Sequence, residues 1–145
     1  MSAANKKYLC VAVVLALLSV LFGAFGAHAL KGSLTAYQIG IYDTAVQYQM
    51  LHSVALLISV VLSEQAEQSS LQHRLKWAQR CFVVGVVVFS GSLYCLAITS
   101  IKWLGAITPI GGLAFLFGWL CMLWFALGVT SNSKHEINKS DAGRE

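Results

Sequence analysis

Charge is what this chain has least of. Only 11% of its 145 residues are Asp, Glu, Lys or Arg, against about a quarter in an ordinary soluble domain. None lies between Tyr8 and Leu30, and the later apolar runs, at about 44–62, 78–99 and 109–129, carry none beyond Arg80 at the edge of the third. Ionisable groups at bilayer depth are expensive and mark ion-coupled pumps and transporters. Their scarcity argues against that class, and a small multidrug exporter, which relies on a carboxylate in its first helix, lacks its key residue here. The chain has one proline, and its four cysteines, Cys10, Cys81, Cys95 and Cys121, show neither C-x-x-C nor Cys/His ligand spacing. That excludes a metal centre and a disulfide framework and leaves the thiols as small hydrophobes. No nucleophile, base and orienting third group can be assembled, because Ser53 beside His52 diverges from it by about 100° on a helix. No catalytic residue and no cofactor follow from the sequence.

What is present is hydrophobicity: 57% of the residues, with a mean hydropathy of +0.69. The 23 residues from Tyr8 to Leu30 extend about 34 Å as a helix, enough to cross the hydrocarbon core. Ala12, Ala16, Ser19, Gly23 and Ala27 recur every three or four residues as one stripe, which lets a second helix approach closely. The stripe reads as a packing groove, with a ligand channel as the alternative. Two rivals fail. Lys6 and Lys7 followed by Ala27-His28-Ala29 imitate a signal peptide, but the run is too long and another hydrophobic segment follows. Gly23 and Gly26 lack the Lys-Ser/Thr pair of a phosphate loop.

After a mixed, interface-bound segment at 31–43, the second run, about 44–62, is the least apolar, because Gln47, Tyr48, Gln49 and His52 crowd its first half. Ala45, Tyr48, His52, Ala55 and Ser59 share one face, which must point into the bundle, since lipid offers polar groups no partner. Nineteen residues are few for a span, so this helix is expected to begin before Thr44. Glu64 to Lys76 has the composition of a solvated loop, with His73 on its surface. The third span carries a second small-residue stripe that includes Gly85 and Ser92. Thr108 and Pro109 read as the N-cap and first residue of the fourth helix, on which Gly111, Gly112 and Gly118 supply further packing positions. Residues 1–7 form a short cytoplasmic start, and 130–145 are polar and expected to be disordered.

His28 and His52 are the titratable groups left near the membrane. With Tyr48 and Gln49 they form a candidate polar cluster in the outer half of the bundle. It either binds a small ligand or lipid head group or passes protons, or else it hydrogen-bonds between helices, each bond contributing about 0.6 to 2 kcal/mol to packing.

Orientation follows from Lys and Arg. Lys6, Lys7, Arg74, Lys76, Arg80, Lys134, Lys139 and Arg144 fall on one side, and Lys31 and Lys102 on the other. The net charge of +4 is therefore a topology signal rather than a nucleic-acid patch, and it places both termini in the cytoplasm.

Three segments in order, Gly23-Ala-Phe-Gly-Ala-His28-Ala-Leu30, Thr44-Ala-Val-Gln-Tyr48-Gln49-Met-Leu-His52, and Thr108-Pro-Ile-Gly-Gly112 with Gly118-Trp119, resemble the YgdD family of bacterial inner-membrane proteins. That family is of unknown function and is related to a small animal transmembrane protein. The resemblance covers residues 8 to 129 and implies a four-helix integral membrane protein without an established activity. The expectation is an all-α, multi-pass inner-membrane four-helix bundle, partnered by the lipid bilayer and by a membrane protein or further copies of itself. Its expected role is structural or accessory, and the alternative is a small channel or transporter built on the polar cluster.

Overall fold

A computed structural model describes the backbone of residues 1–66 and 69–142 and the side chains of 1–66 and 70–130. Helix α1, Ala3–Phe25, continues through a π-helical turn at Gly26–Leu30; α2 is Ala36–Gln65. Helix α3, Ser69–Gly85, passes through a second π-helical turn, Val86–Ser90, into α4, Gly91–Thr99, and α5 is Leu104–Ala142. Four apolar stretches result, Ala3–Leu30, Ala36–Gln65, Ser70–Thr99 and Leu104–Thr130, each 27 to 30 residues long. At 1.5 Å per residue each extends about 40 to 45 Å and can cross a bilayer. The fold is the expected all-α membrane bundle.

Helix ends differ from the sequence reading for identifiable reasons. Helix α2 does begin before Thr44, as expected, and its start is fixed eight residues earlier because Thr35 and Gln38 form a capping box: the Thr35 hydroxyl accepts from the Gln38 amide at 3.3 Å, and Gln38 Oε1 accepts from the Thr35 amide at 2.9 Å. The segment read as a solvated loop, Glu64 to Lys76, is mostly helical. It is rich in helix formers, and Leu71, Leu75, Ala78 and Phe82 lie on one buried face of α3. Composition hid that periodicity; residues 67 and 68 lie outside the described residues. Helix α5 opens at Leu104, so Thr108 and Pro109 are not its start. The amides of Leu104, Gly105 and Ala106 bond the carbonyls of Ile101, Lys102 and Trp103. This turn satisfies the first amides and lets the helix begin early. Pro109 is then an internal proline, and the Thr108 hydroxyl turns to Ser92 at 2.8 Å instead of capping. Past Val129, where the disordered tail was expected, no proline or glycine intervenes before Gly143, and the backbone stays helical to Ala142.

Neighbours in sequence are neighbours in space: α1 packs on α2, α2 on the α3–α4 helix, and that helix on α5. The N-terminus pairs with Glu64 at the far end of α2, at 3.3 Å, and Arg74 at the start of α3 donates to the Trp124 carbonyl at 2.7 Å. At the opposite end Gln38 joins α2 to the carbonyl of Ala97 at 3.0 Å. The chain therefore runs up and down four times. Helix α2 carries the seam, with Tyr42, Ala45, Gln49, His52, Leu56, Ser59 and Ser63 all buried. Their alternating steps of three and four match the 3.5-residue repeat of left-handed helix packing.

Small residues permit the close approaches. Ala12 and Ser19 are buried and Ala16 is half-buried on α1, and a Cβ at Gly23 would just touch Val46 at 3.4 Å. Ala27 is a correction: it is exposed, and Gly26 takes the packing position beneath the Tyr42 ring. The step of three from Gly23 brings Gly26, the first residue of the π turn, onto the buried face, and Ala27, the next residue, points about 100° away from it. Gly85 meets the Phe115 ring, Gly118 meets Phe82, and Ser92 is buried against Thr108. Gly111 lies directly against the backbone of Phe89, where a Cβ would sit 2.7 Å from its Cα, but a Cβ at Gly112 would meet only the Phe89 ring at 3.8 Å.

These two adjacent glycines should therefore behave oppositely. Gly111→Ala is expected to destabilise by about 2 kcal/mol through overpacking against a backbone that cannot yield. Gly112→Ala should be neutral or stabilising by up to about 1 kcal/mol through helix propensity. Thermal unfolding of the purified protein in detergent reads both, and equal midpoints for the two variants would contradict the helix contact.

Candidate functional site

Hydrocarbon supplies no hydrogen bonds, so a polar side chain inside a membrane helix must find its partners within the protein. Serine does this locally: Ser19, Ser53 and Ser59 return their hydroxyls to carbonyls of their own helices at 2.6 to 2.7 Å. Longer side chains must reach across. Buried Gln49 donates from Nε2 to the Leu15 carbonyl of α1 at 2.9 Å, and its Oε1 accepts from the Tyr94 hydroxyl of α4, also at 2.9 Å. The Tyr94 ring lies edge-on to Phe22 and beside Tyr42, whose hydroxyl donates to the Phe22 carbonyl at 2.9 Å.

One turn further on, His52 is 3% exposed and lies flat on Phe115, the ring centroids 3.5 Å apart. Its Nδ1 lies 2.8 Å from the Tyr48 carbonyl, and its Nε2 lies 3.2 Å from the indole nitrogen of Trp119. A carbonyl only accepts and an indole only donates. Nδ1 therefore carries the proton, Nε2 offers its lone pair, and the imidazole is neutral. Together Gln49 and His52 connect α2 to all the other membrane helices.

The structure brings together Tyr48, Gln49 and His52 of the expected cluster but not His28. His28 lies exposed in the π-helical turn that ends the first span, with no hydrogen bond or ring contact. The Tyr48 hydroxyl makes no bond to the imidazole; the Tyr48 ring packs on Phe89 at 4.6 Å and stacks beside the His52 ring at 5.8 Å, and its main-chain carbonyl bonds His52. Depth differs too. With α2 starting at Ala36, His52 lies about 24 Å along the helix, close to its middle rather than in the outer half. Three participants were not assigned to the cluster from sequence: Tyr94, Trp119 and Gln79, the last buried on α3 and donating to the Ser59 carbonyl at 3.3 Å. A tryptophan midway along an apolar helix was the available signal for Trp119.

Above this polar floor a groove of about 600 Å³ opens sideways between α2 and α5, walled by Leu51, Leu113 and Leu116, with Phe89 of the π turn at its base. The hydroxyl of Tyr48, which also lines the groove, makes no hydrogen bond. Among the described residues no group of three His, Cys, Asp or Glu side chains gathers to hold a metal ion.

Residues 22–112 match the family model described as "Protein of unknown function (DUF423)". The chain belongs to this family. Relatives share 37 to 43% identity: a UPF0382 membrane protein of Staphylococcus haemolyticus is 43% identical over 118 residues, 81% of this chain and 93% of that protein. The UPF0382 membrane protein YwdK of Bacillus subtilis is 37% identical over 118 residues, 81% and 94% of the two chains. The UPF0382 inner membrane protein YgdD of Escherichia coli is 37% identical over 119 residues, 82% and 88%. No solved structure matches the chain. The DUF423 match contains Gln49, His52 and Tyr94, and Trp119 lies beyond it.

If the imidazole–indole bond ties α2 to α5, Trp119→Phe, which keeps an aromatic ring against Phe82, should cost about 1 kcal/mol. His52→Ala should cost about 2 to 4 kcal/mol, because it also empties the stack on Phe115. In the His52→Ala background Trp119→Phe should then cost little further; full additivity in detergent unfolding would show that the two rings are not coupled.

Proposed function

We propose that this DUF423 protein is a structural or accessory component of the inner membrane rather than an enzyme or a proton-coupled carrier. One observation carries this reading: the polar groups of His52 and Gln49, at mid-depth, are already engaged by the protein. Both nitrogens of His52 and both ends of the Gln49 amide have partners in the bundle. A proton arriving at Nε2 would have to displace the Trp119 indole, so the histidine is built to hold helices rather than to relay protons. The small-residue contacts and the hydrogen-bonded seam serve the same end.

The same reading sets both termini in the cytoplasm. The end that carries the N-terminus, the α2–α3 connection and Arg74 is also the end of the lysine and arginine excess, eight against two by sequence. The groove above His52 favours a second reading, in which an apolar solute enters sideways from the lipid and is moved across.

Two experiments test the proposal. A fluorescent protein fused to the C-terminus should be bright and alkaline phosphatase fused there inactive; the reverse would overturn the orientation. Purified protein in liposomes should leave an imposed pH gradient decaying at the rate of protein-free vesicles, between about pH 6 and 8, the range in which a histidine relay would respond. A leak that disappears in His52→Ala would replace the accessory reading with the transporter.

A further inference from the structure

At the end opposite the termini, a second cleft of about 500 Å³ lies between the first turn of α2 and the turn joining α4 to α5. Its chemistry differs from that of the central groove. One side is apolar, formed by Ile41 and Leu96 where the two helices descend; the other carries Lys102 and Ser100. Lys102 is exposed, and the one ion pair among the described residues joins the N-terminus to Glu64 at the other end of the bundle. The cleft therefore holds an uncompensated positive charge and no carboxylate.

Ser100 is the chain's single non-glycine residue with a left-handed backbone among those described, at φ 59°. Glycine would adopt this conformation at lower cost, so the serine is kept in a strained position. Its hydroxyl oxygen accepts from Gln38 Nε2 at 3.0 Å, and its own proton has no acceptor. Gln38 is itself held on both sides, by Thr35 and by the Ala97 carbonyl, so this rim is fixed. Tyr37 and Trp103, 77% and 64% exposed, flank the cleft. Amphipathic rings at this end fit the level of lipid head groups.

We propose that this cleft binds the phosphate of an anionic phospholipid. Lys102 supplies the charge, the Ser100 hydroxyl donates a hydrogen bond, and the acyl chains run down along Ile41 and Leu96. The pairing of one cation and one free donor above an apolar wall fits a phosphodiester on a glycerol bearing fatty chains. A soluble phosphate would leave the apolar wall unused.

The test is native mass spectrometry of the full-length protein in detergent, titrated separately with phosphatidylglycerol, phosphatidylcholine and glycerol 3-phosphate. Phosphatidylglycerol should be retained about five-fold over phosphatidylcholine, the preference expected for one interfacial lysine. Lys102→Gln should abolish that preference while leaving the thermal midpoint unchanged, since the exposed side chain makes no bond within the bundle. Ser100→Gly, which relieves the backbone strain, should weaken retention without destabilising the fold. Lys31→Gln, on the same end but outside the cleft, should retain the lipid as the unmodified protein does. Retention unchanged by Lys102→Gln, an equal loss from Lys31→Gln, or displacement of phosphatidylglycerol by equimolar glycerol 3-phosphate would each overturn the proposal.

Discussion

Everything in this bundle answers to the absence of water at its centre. A glutamine amide or an imidazole in hydrocarbon has no solvent to fall back on, so each must be paired by another part of the same chain. Gln49 and His52 meet that requirement by reaching in different directions, the first to α1 and α4, the second to α5. The helices cannot slide or rotate far without stranding one of these groups. Close approach at Gly26, Gly85, Gly111 and Gly118 then becomes possible in one register, and that register is the one in which the hydrogen bonds are made. Dispersion supplies contact energy, and the polar pairs select which contact is made.

Much of this was legible in the sequence, and the pattern of misses is instructive. The four spans follow from hydropathy and length, and the inward polar face of α2 follows from the lack of partners in lipid. A start of α2 before Thr44 follows from the length a span needs, and the Thr35-x-x-Gln38 signature that fixes it at Ala36 was readable as well. Glu64 to Lys76 looked like a loop because it is polar, although Leu71, Leu75 and Ala78 keep a helical period within it. Pro109 pointed to a helix start because its missing amide suits the first turn; the preceding turn of Ile101 to Trp103 had already satisfied those amides. The π-helical turns left no readable mark, and Ala27 and His28, which lie in the first of them, are exposed. The long-range partners Tyr94 and Trp119 lie 45 and 67 residues from Gln49 and His52, the residues they bond, and depend on how the helices cross, which no local pattern encodes.

The proposed role rests on how His52 and Gln49 are used at the centre. A relay needs a polar atom that can change partners during each cycle, and the histidine here has none to spare. The groove beside it is apolar at the walls and closed at the floor, while the charged chemistry lies at the head-group level of the bundle. On the accessory reading proposed above, a small protein whose central imidazole and Gln49 amide are paired internally, with clefts open at its sides, is suited to organising its surroundings, either lipid or a neighbouring helix.

The most direct measurement is the imidazole nitrogen-15 spectrum of His52 in protein reconstituted in bilayers at neutral pH, assigned with His52→Ala. A neutral ring protonated at Nδ1, with Nε2 accepting from the Trp119 indole, is the expected result. An imidazolium, or a ring protonated at Nε2, would mean that His52 is free to exchange protons and that the helices are held together by something else.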